Sequence, residues 1–293
     1  MTHIFRRHWG TALLLLSPAL LFAAVFLLYP LLNGVYLSFT NASALRPTHR
    51  VIGLGNYQYL LSTPEFFVVL WNSALLVGGA ILLSMVGGLA LALMVNRRLP
   101  GTTLFRAGVF QIWIVPWISV AILWGWIFNA DYGIVNHLLT STGLVSENVR
   151  WFSDSTTARL VVVLGFAWRM IPFMMVVSLA ALQSIPSEIL EAADVDGATP
   201  VQRFLRITLP LLRPMLVTLA LLQLVKLFQE ITLPWVLTQG GPVNSTTTLS
   251  LYTYKLAFQQ WDYGLAATAG TIWLVLLGLL GLTAMQLTRR RYD

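Results

Sequence analysis

Long uninterrupted apolar stretches, separated by short polar segments, dominate the chain. A helix needs about 20 mostly apolar residues to cross a hydrocarbon core of roughly 30 Å, and six stretches reach or approach that length. Inside lipid, the backbone polar groups of an isolated segment must pair with each other, so we expect helices. The pattern predicts an all-α membrane protein with six transmembrane helices. The predicted spans are residues 11–32, 66–95, 107–128, 160–182, 209–237 and 264–287.

The composition supports the same class. Hydrophobic residues make up 57% of the 293 positions and charged residues only 10%, whereas soluble domains contain about 45–50% and roughly 25%. No polar segment is long enough for a separate soluble domain, so we expect residues 1–293 to form a single transmembrane domain. The first apolar run exceeds the roughly 7–15 residues of a cleavable signal, so we expect a retained anchor. The absence of cysteine excludes disulfides and cysteine-ligated metals.

The distribution of basic residues predicts the orientation. Short cytoplasmic loops of membrane proteins carry an excess of Lys and Arg. With the N-terminus inside, eleven basic residues fall in inside segments and five in outside segments, so we expect both termini in the cytoplasm. The net charge of +7 then belongs to the cytoplasmic membrane face and requires no nucleic-acid partner. The eleven are Arg6, Arg7, Arg97, Arg98, Arg106, Arg203, Arg206, Arg213, Arg289, Arg290 and Arg291; the five are Arg46, Arg50, Arg150, Arg159 and Lys255.

The loop at residues 184–210, between the fourth and fifth predicted spans, is predicted to fold as two short helices. Ser187 is placed to cap the first helix. Gly197 is placed to end it, because glycine adopts left-handed backbone angles cheaply. Thr199 and Gln202 have the spacing of a capping box at the start of the second helix, with Pro200 at its first position.

Several stretches resemble one family of transporters. The loop contains Glu191-Ala192-Ala193, Asp196-Gly197-Ala198 and then Phe204, Ile207, Leu209 and Pro210. This pattern resembles the EAA loop of permease subunits in binding-protein-dependent ATP-binding-cassette (ABC) importers. Residues 237–242 (LTQGGP), 245–248 (STTT), 252–258 and 132–136 resemble the carbohydrate-uptake branch, of the maltose and glycerol-phosphate type. Gln239 departs from that branch, because relatives often have glycine there.

The resemblance implies a cytoplasmic coupling helix between helices 4 and 5 that docks into a cleft on an ATPase subunit. An ordinary helical hairpin is the alternative for this loop. The resemblance also implies a second permease subunit of similar fold, two ABC ATPase subunits, an extracytoplasmic solute-binding protein, a sugar-type substrate and a place in the cytoplasmic (inner) membrane. The coupling residues that it implicates are Glu191, Ala192, Ala193, Asp196, Gly197 and Ala198.

No catalytic motif accompanies these features. A phosphate-binding loop of the form G-x-x-x-x-G-K-[ST] is absent, since each of the two lysines is followed by leucine. We therefore expect ATP and Mg to bind to partner ATPase subunits, and this chain to hold no cofactor. The sequence contains neither H-E-x-x-H nor G-x-S-x-G, and its four histidines are scattered. We expect neither an enzyme nor a metal site.

Charged residues inside the predicted spans are candidates for the substrate path, because burying charge in a membrane is costly. Lys226 and Glu230 are four residues apart, and Gln223 lies three residues before Lys226, so the sequence predicts one polar helix face. The alternative is an internal salt bridge between Lys226 and Glu230. Arg169, in the fourth span, has two interpretations, a structural pairing or a substrate contact.

Aromatic residues of the third span are further candidates for the substrate path. Trp113, Trp117 and Trp124 fall within about 40° on a helical wheel at 100° per residue. Sugars stack on aromatic rings, so the three could line the path, although ordinary packing or interface anchoring is the alternative. In the second span, the pairs Gly78-Gly79 and Gly87-Gly88 predict close helix contacts.

An ion-coupled secondary carrier is the alternative function. Such a carrier works without an ATPase and predicts buried acids within the spans, where only Glu230 comes close. The sequence leaves open which sugar is carried, whether that sugar is anionic, and how many contacts a partner permease supplies.

Cysteine labelling tests the predicted orientation. The chain has no cysteine of its own to react. Asn148→Cys should therefore react with an impermeant maleimide added from outside, whereas Ser187→Cys should react only after the membrane is permeabilised. The reverse labelling pattern would invert the predicted orientation.

Overall fold

The computed structural model describes residues 9–96 and 100–289. Within these ranges the regular structure is helical, with no β-strand and two isolated bridges. Five helical paths are long and apolar enough to cross a membrane, and one bent pair of helices makes a sixth. The predicted all-α class is confirmed. Six of the predicted cytoplasmic basic residues lie outside the described residues: Arg6, Arg7, Arg97, Arg98, Arg290 and Arg291.

The chain divides into two compact units, and the single-domain assignment stays a prediction. The first unit takes in the described part of Met1–Thr63 together with Thr253–Val275. Its helices are α1 (Trp9–Ala23), α2 (Tyr29–Ser38) and α3 (Gly55–Ser62). The second unit contains α4 (Pro64–Val95), α5 (Thr102–Ile114), α6 (Trp117–Ile127), α7 (Ile134–Ser141), α8 (Ser155–Gln183), α9 (Ser187–Val195), α10 (Pro200–Arg203), α11 (Leu209–Gln229) and α12 (Thr232–Thr238). Helices α13 (Leu249–Phe258) and α14 (Tyr263–Arg289) have residues in both units.

Buried hydrogen bonds at the end of α2 organise the first unit. The side chain of Asn56 on α3 donates from Nδ2 to the carbonyl oxygens of Ser38 (3.0 Å) and Thr40 (2.8 Å). Thr268 on α14 donates from Oγ1 to the same Ser38 carbonyl, at 3.0 Å. A Cβ atom on Gly264 would meet the Thr40 carbonyl oxygen at 2.3 Å, so only glycine fits there. These contacts give carbonyls at the end of α2 the partners that a helix terminus lacks.

Two wide helical turns each precede a proline. The turn at Ala24–Leu28 leads into Pro30, and the turn at Phe204–Thr208 leads into Pro210. In each turn an i→i+5 bond forms: Tyr29 N–H donates to the Ala24 carbonyl, and Leu209 N–H to the Phe204 carbonyl. Proline has no N–H and clashes with the carbonyl four residues earlier, so a widened turn lets the helix continue. The first helical path consequently extends over Leu13–Ser38, beyond the predicted end at residue 32.

Helices α4 and α8 pack closely in the second unit. A Cβ atom on Gly88 would lie 2.3 Å from Met174 Cβ, and one on Gly87 would lie 3.1 Å from Ile171 Cδ1. A Cβ on Gly79 would meet Val163 at 3.3 Å, whereas one on Gly78 would have no atom within 4 Å. The predicted close helix contact is confirmed for three of the four glycines. At Gly88 any larger residue would push the two helices apart.

The third predicted span is not one straight helix. Helices α5 and α6 meet at a 97° bend. Val115, between them, has the extended angles φ −57° and ψ 127°, and Pro116 precedes α6. Proline disfavours helical angles in the residue before it and cannot donate a helical hydrogen bond. The prediction of one continuous helix over residues 107–128 is therefore wrong.

The fifth predicted span also has different limits. Helix α10, the wide turn and α11 form one helical path over Pro200–Gln229, which begins inside the loop predicted at 184–210. The path ends at Gln229, because Glu230 has the extended angles φ −85° and ψ 117°, and α12 begins at Thr232. The prediction that one helix continues to residue 237 is wrong. The sequence gives no strong stop there, since neither Gly nor Pro occupies positions 229–231.

Hydrogen bonds attach the loop between α12 and α13 to α4 and α8. Asn72 donates from Nδ2 to the Asn244 carbonyl oxygen (2.8 Å), and its Oδ1 accepts from Arg159 Nη2 (3.0 Å). Arg159 Nε also donates to the Ser245 carbonyl oxygen, at 3.1 Å. Residues 245–248 are buried. Gln239 ends α12 with φ 52°, a left-handed conformation that glycine adopts at lower cost.

The substitution Asn72→Leu should destabilise the second unit. It would leave the Asn244 carbonyl and an Arg159 N–H without their partner at a fully buried position, which costs about 1–3 kcal/mol. The measurement is the thermal unfolding midpoint in detergent, with Asn148→Leu in an exposed loop as the control. Equal midpoints for the two variants would contradict this role of Asn72.

Candidate functional site

The loop at 184–210 folds largely as its sequence predicts. Helix α9 is followed by Gly197 at φ +75°. Ala198 N–H donates to the Ala193 carbonyl (3.0 Å), and Gly197 N–H donates to the Asp194 carbonyl (3.1 Å). These two bonds form a Schellman motif, which requires a left-handed residue at this position. A Cβ atom on Gly197 would meet nothing within 4 Å, so within this chain glycine is needed for its backbone angle and not for space.

The capping box at Thr199 is also confirmed. Thr199 Oγ1 accepts from Gln202 N–H at 3.3 Å, and Gln202 Oε1 accepts from Thr199 N–H at 2.9 Å.

The predicted cap at Ser187 is wrong. Pro186 occupies the capping position and no side chain caps the helix. Ser187 lies one residue too late, already inside the first turn.

An ion pair joins the two short helices of this loop. Arg203 Nη1 on α10 lies 2.6 Å and 2.7 Å from the two carboxylate oxygens of Asp194 on α9. Exposed ion pairs contribute only about 0–1 kcal/mol to stability. The main consequence of this pair is therefore that it holds α9 and α10 in a fixed relation. It links residues on either side of the Gly197 turn, and their separation of nine residues matches no local sequence pattern.

The six candidate coupling residues differ in exposure. Glu191, Ala192, Asp196 and Gly197 are exposed, Ala198 is half-buried, and Ala193 is only 5% exposed. Ala193 therefore packs inside this chain, where a partner cannot reach it without a rearrangement. Two apolar side chains beside this set, Ile189 and Val195, are exposed.

A second candidate site is a cavity of 410 Å³. Four helices and the segment after α11 contribute to it, and the size lies in the range of about 300–1,000 Å³ that is usual for small-molecule sites. The lining residues are Trp113, Trp117, Arg169, Met170, Lys226, Gln229 and Glu230. The bend at Pro116 brings Trp113 of α5 and Trp117 of α6 to the same cavity from different helices.

Trp124 does not line this cavity. Its ring stacks on Phe128 with centroids 5.1 Å apart, and it contacts Trp168 edge-on at 6.2 Å. It is only 9% exposed. The predicted stripe of three tryptophans on one helix face is wrong. Pro116 interrupts the helix between Trp113 and Trp117, and Trp124 lies about 10 Å further along α6 than Trp117, beyond the cavity.

Arg169 is paired, but not with an acid. Its Nε donates to the Val115 carbonyl oxygen at 2.7 Å, and its Cζ lies 4.2 Å from the ring centroid of Trp117. The last carbonyls of a helix have no partner within that helix, and Val115 immediately follows α5. Arg169 therefore stabilises the bend between α5 and α6 while its guanidinium borders the cavity.

Lys226 and Glu230 do not form the salt bridge that is the alternative to a role in the substrate path. The one ion pair found among the described residues joins Arg203 and Asp194. Glu230 lies past the end of α11, off the helix face of Lys226, and its Oε1 accepts from Thr232 N–H at 2.6 Å. Lys226 Nζ instead lies 5.5 Å from the ring centroid of Trp113 and 5.2 Å from that of Phe173. Both side chains nevertheless border the same cavity.

Gln223 lies away from the cavity. It is 1% exposed, and its Oε1 accepts from Ser84 Oγ on α4 at 2.8 Å. Its Nε2 has no hydrogen-bond partner within the described part of the chain. The three residues therefore do not form the predicted polar face. Gln223 bonds to another helix, Lys226 lies beside two aromatic rings, and Glu230 accepts from the first N–H of α12.

Comparison with protein families identifies the class. The model of the family described as "Binding-protein-dependent transport system inner membrane component" matches residues 84–293. The chain belongs to this family. Membership supports a binding-protein-dependent importer over an ion-coupled secondary carrier. A family of inner membrane components also agrees with the membrane helices predicted for this permease.

Similar proteins are transport permeases. This permease is 34% identical over 262 residues to the sulfoquinovosyl glycerol transport system permease protein SmoG of Agrobacterium fabrum, covering 87% of this chain and 83% of that protein. It is 32% identical over 280 residues to the trehalose/maltose transport system permease protein MalF of Thermococcus litoralis, covering 96% and 94%. A chain in the crystal structure of a bacterial ABC transporter that imports the acidic polysaccharide alginate superposes with a TM-score of 0.80, at 26% identity, covering 97% and 96%.

The pairing of Arg169 generates a stability prediction. Arg169→Met should lower the thermal unfolding midpoint in detergent, because the Val115 carbonyl loses its donor at a cost of about 1–3 kcal/mol. Lys226→Met is the matched control. It removes a cation from the same cavity but no hydrogen bond that the structure describes, so its midpoint should stay close to that of the unmodified permease. Equal losses in the two variants would contradict the structural role of Arg169.

Proposed function

We propose that this permease is one of two membrane subunits of an ABC importer that moves a carbohydrate into the cytoplasm. An extracytoplasmic binding protein delivers the substrate, and two partner ATPase subunits bind ATP with Mg. The observation that carries the proposal is similarity across nearly the whole chain to permeases for trehalose and maltose and for sulfoquinovosyl glycerol. The structural likeness to an alginate importer supports the same substrate class.

The chemistry of the 410 Å³ cavity supports a sugar-type substrate. Trp113 and Trp117 border the cavity with aromatic rings, which offer apolar surface to the C–H groups of a sugar ring. Arg169, Lys226, Gln229 and Glu230 supply polar groups around those rings. A site of this kind combines apolar surface with a few placed polar groups, as small-molecule sites usually do.

The geometry of the loop at 184–210 supports a coupling role. Helix α9 exposes Glu191, Ala192 and the neighbouring Ile189 for contact with an ATPase subunit. The Asp194–Arg203 ion pair and the turn at Gly197 tie α9 to α10. The helical path Pro200–Gln229 then continues from this loop to the cavity, where it ends beside Lys226 and Gln229. Movement of α9 by the ATPase would in this way reach the substrate path.

Reconstitution tests the proposed function. The permease, a second permease subunit, the ATPase subunits and the binding protein are placed together in liposomes, and uptake of a panel of radiolabelled sugars is measured. We expect uptake of at least one sugar that requires both ATP and the loaded binding protein. Uptake driven by an ion gradient without ATP would contradict the proposal.

The turn at Gly197 provides a test of the coupling role. Gly197→Val places a β-branched residue at φ +75°, which such residues avoid, and it should abolish ATP-driven uptake while the protein still inserts. Gly197→Asn is the matched control, because asparagine tolerates left-handed angles, and it should keep most of the uptake. Normal uptake and normal substrate-stimulated ATP hydrolysis in Gly197→Val would show that this turn does not transmit coupling.

A further inference from the structure

The charges around the 410 Å³ cavity do not balance. Two cations, Arg169 and Lys226, border it, whereas Glu230 is the one acid among its lining residues. The formal sum of these three side chains is one positive charge. An uncompensated charge in a membrane-spanning region is costly, and such residues usually serve a transported solute or a pairing partner.

The two cations have different surroundings. Arg169 already donates from Nε to the Val115 carbonyl and lies over the Trp117 ring. Lys226 Nζ forms neither a hydrogen bond nor an ion pair within the described ranges. Its neighbours are the rings of Trp113 and Phe173, which stack on each other with centroids 5.6 Å apart at 19°. An ammonium group near ring faces is stabilised by the ring quadrupole and keeps its N–H donors available.

The one acid does not neutralise Lys226. Glu230 Oε1 accepts from the N–H of Thr232, the first residue of α12, and its carboxylate is not within 4.0 Å of Lys226 Nζ. Lys226 lies in the last turn of α11, where the helix dipole favours a positive charge. The ammonium group therefore lies at the cavity beside the helix end and the two rings, and none of its N–H groups donates a hydrogen bond within the described residues.

We propose that Lys226 binds a negatively charged group of the transported solute, so that the substrate is an anionic sugar carrying a phosphate, sulfonate or carboxylate. This inference rests on the proposed function as a carbohydrate importer and names the substrate class of the same cavity. Trp113 and Phe173 hold the lysine side chain in place, and Trp117, with the Arg169 guanidinium over its ring, borders the space for the sugar. Arg169 acts as a positioning residue for the bend.

The test uses the complete transporter in liposomes and pairs of sugars that differ in charge. The pairs are glucose with glucose 6-phosphate, glucose with glucuronate, and 6-deoxyglucose with its 6-sulfonate. Calorimetry on the binding protein with the same compounds identifies what it delivers. We expect binding and ATP-driven uptake of at least one anionic member, with uptake of its neutral partner at least about tenfold lower, which corresponds to one charge-assisted contact.

Variants of Lys226 then test whether this lysine causes the preference for the anionic sugar. Lys226→Gln should raise the KM for uptake of the anionic sugar about tenfold or more, and Lys226→Arg should restore most of the loss. Co-purification of the subunits in detergent reports on assembly and should be the same for both variants as for the unmodified transporter. Lys255→Gln makes the same chemical change at the other lysine of the chain and should leave uptake unchanged.

The outcomes separate the two proposals. Uptake of neutral sugars in preference to anionic ones overturns the role of Lys226 and leaves carbohydrate import standing. A KM for the anionic sugar that Lys226→Gln does not change also overturns it. Absence of ATP-driven uptake for sugars of either charge contradicts the proposed function itself. If a variant does not assemble, the preference of the unmodified transporter for anionic or neutral sugars still decides the substrate class.

Discussion

The arrangement of the cavity depends on the interruption of an apolar helix by Pro116. Proline cannot donate a backbone hydrogen bond and pushes the preceding residue out of helical angles, so α5 ends at Ile114. The Val115 carbonyl then takes its partner from Arg169 on another helix. Trp113 and Trp117 consequently approach one cavity from two directions, which a straight helix does not permit.

The same principle, that every backbone group needs a partner, accounts for several polar residues of the second unit. Glu230 accepts from the first N–H of α12, and Arg159 and Asn72 donate to carbonyls of the loop before α13. Most of the buried or half-buried charge thus serves backbone atoms. Lys226 is different, because aromatic rings are its neighbours and it forms no hydrogen bond or ion pair within the described residues. That contrast is the reason for assigning it to the solute.

Much of the fold could be predicted from the sequence, because length and apolarity nearly determine a membrane span and local chemistry determines a cap. The Gly197 turn and the Thr199–Gln202 capping box are examples, since each depends on a few neighbouring residues. The site was less predictable. Periodicity assumes a continuous helix, so the wheel placed Trp124 with Trp113 and placed Glu230 on the face of Lys226. The burial of Ala193 and the Asp194–Arg203 ion pair depend on tertiary contacts, which spacing does not reveal.

The helical path Pro200–Gln229 has a mechanical consequence. Thirty residues at 1.5 Å each make a rod about 45 Å long. If the rod is treated as a rigid lever that pivots at its Pro200 end, a tilt of roughly 10° moves its far end by about 8 Å, because the lever is about 45 Å long. Lys226 lies close to that far end. A small rotation at the loop would therefore be enough to carry its ammonium group across a distance comparable to the width of a sugar ring.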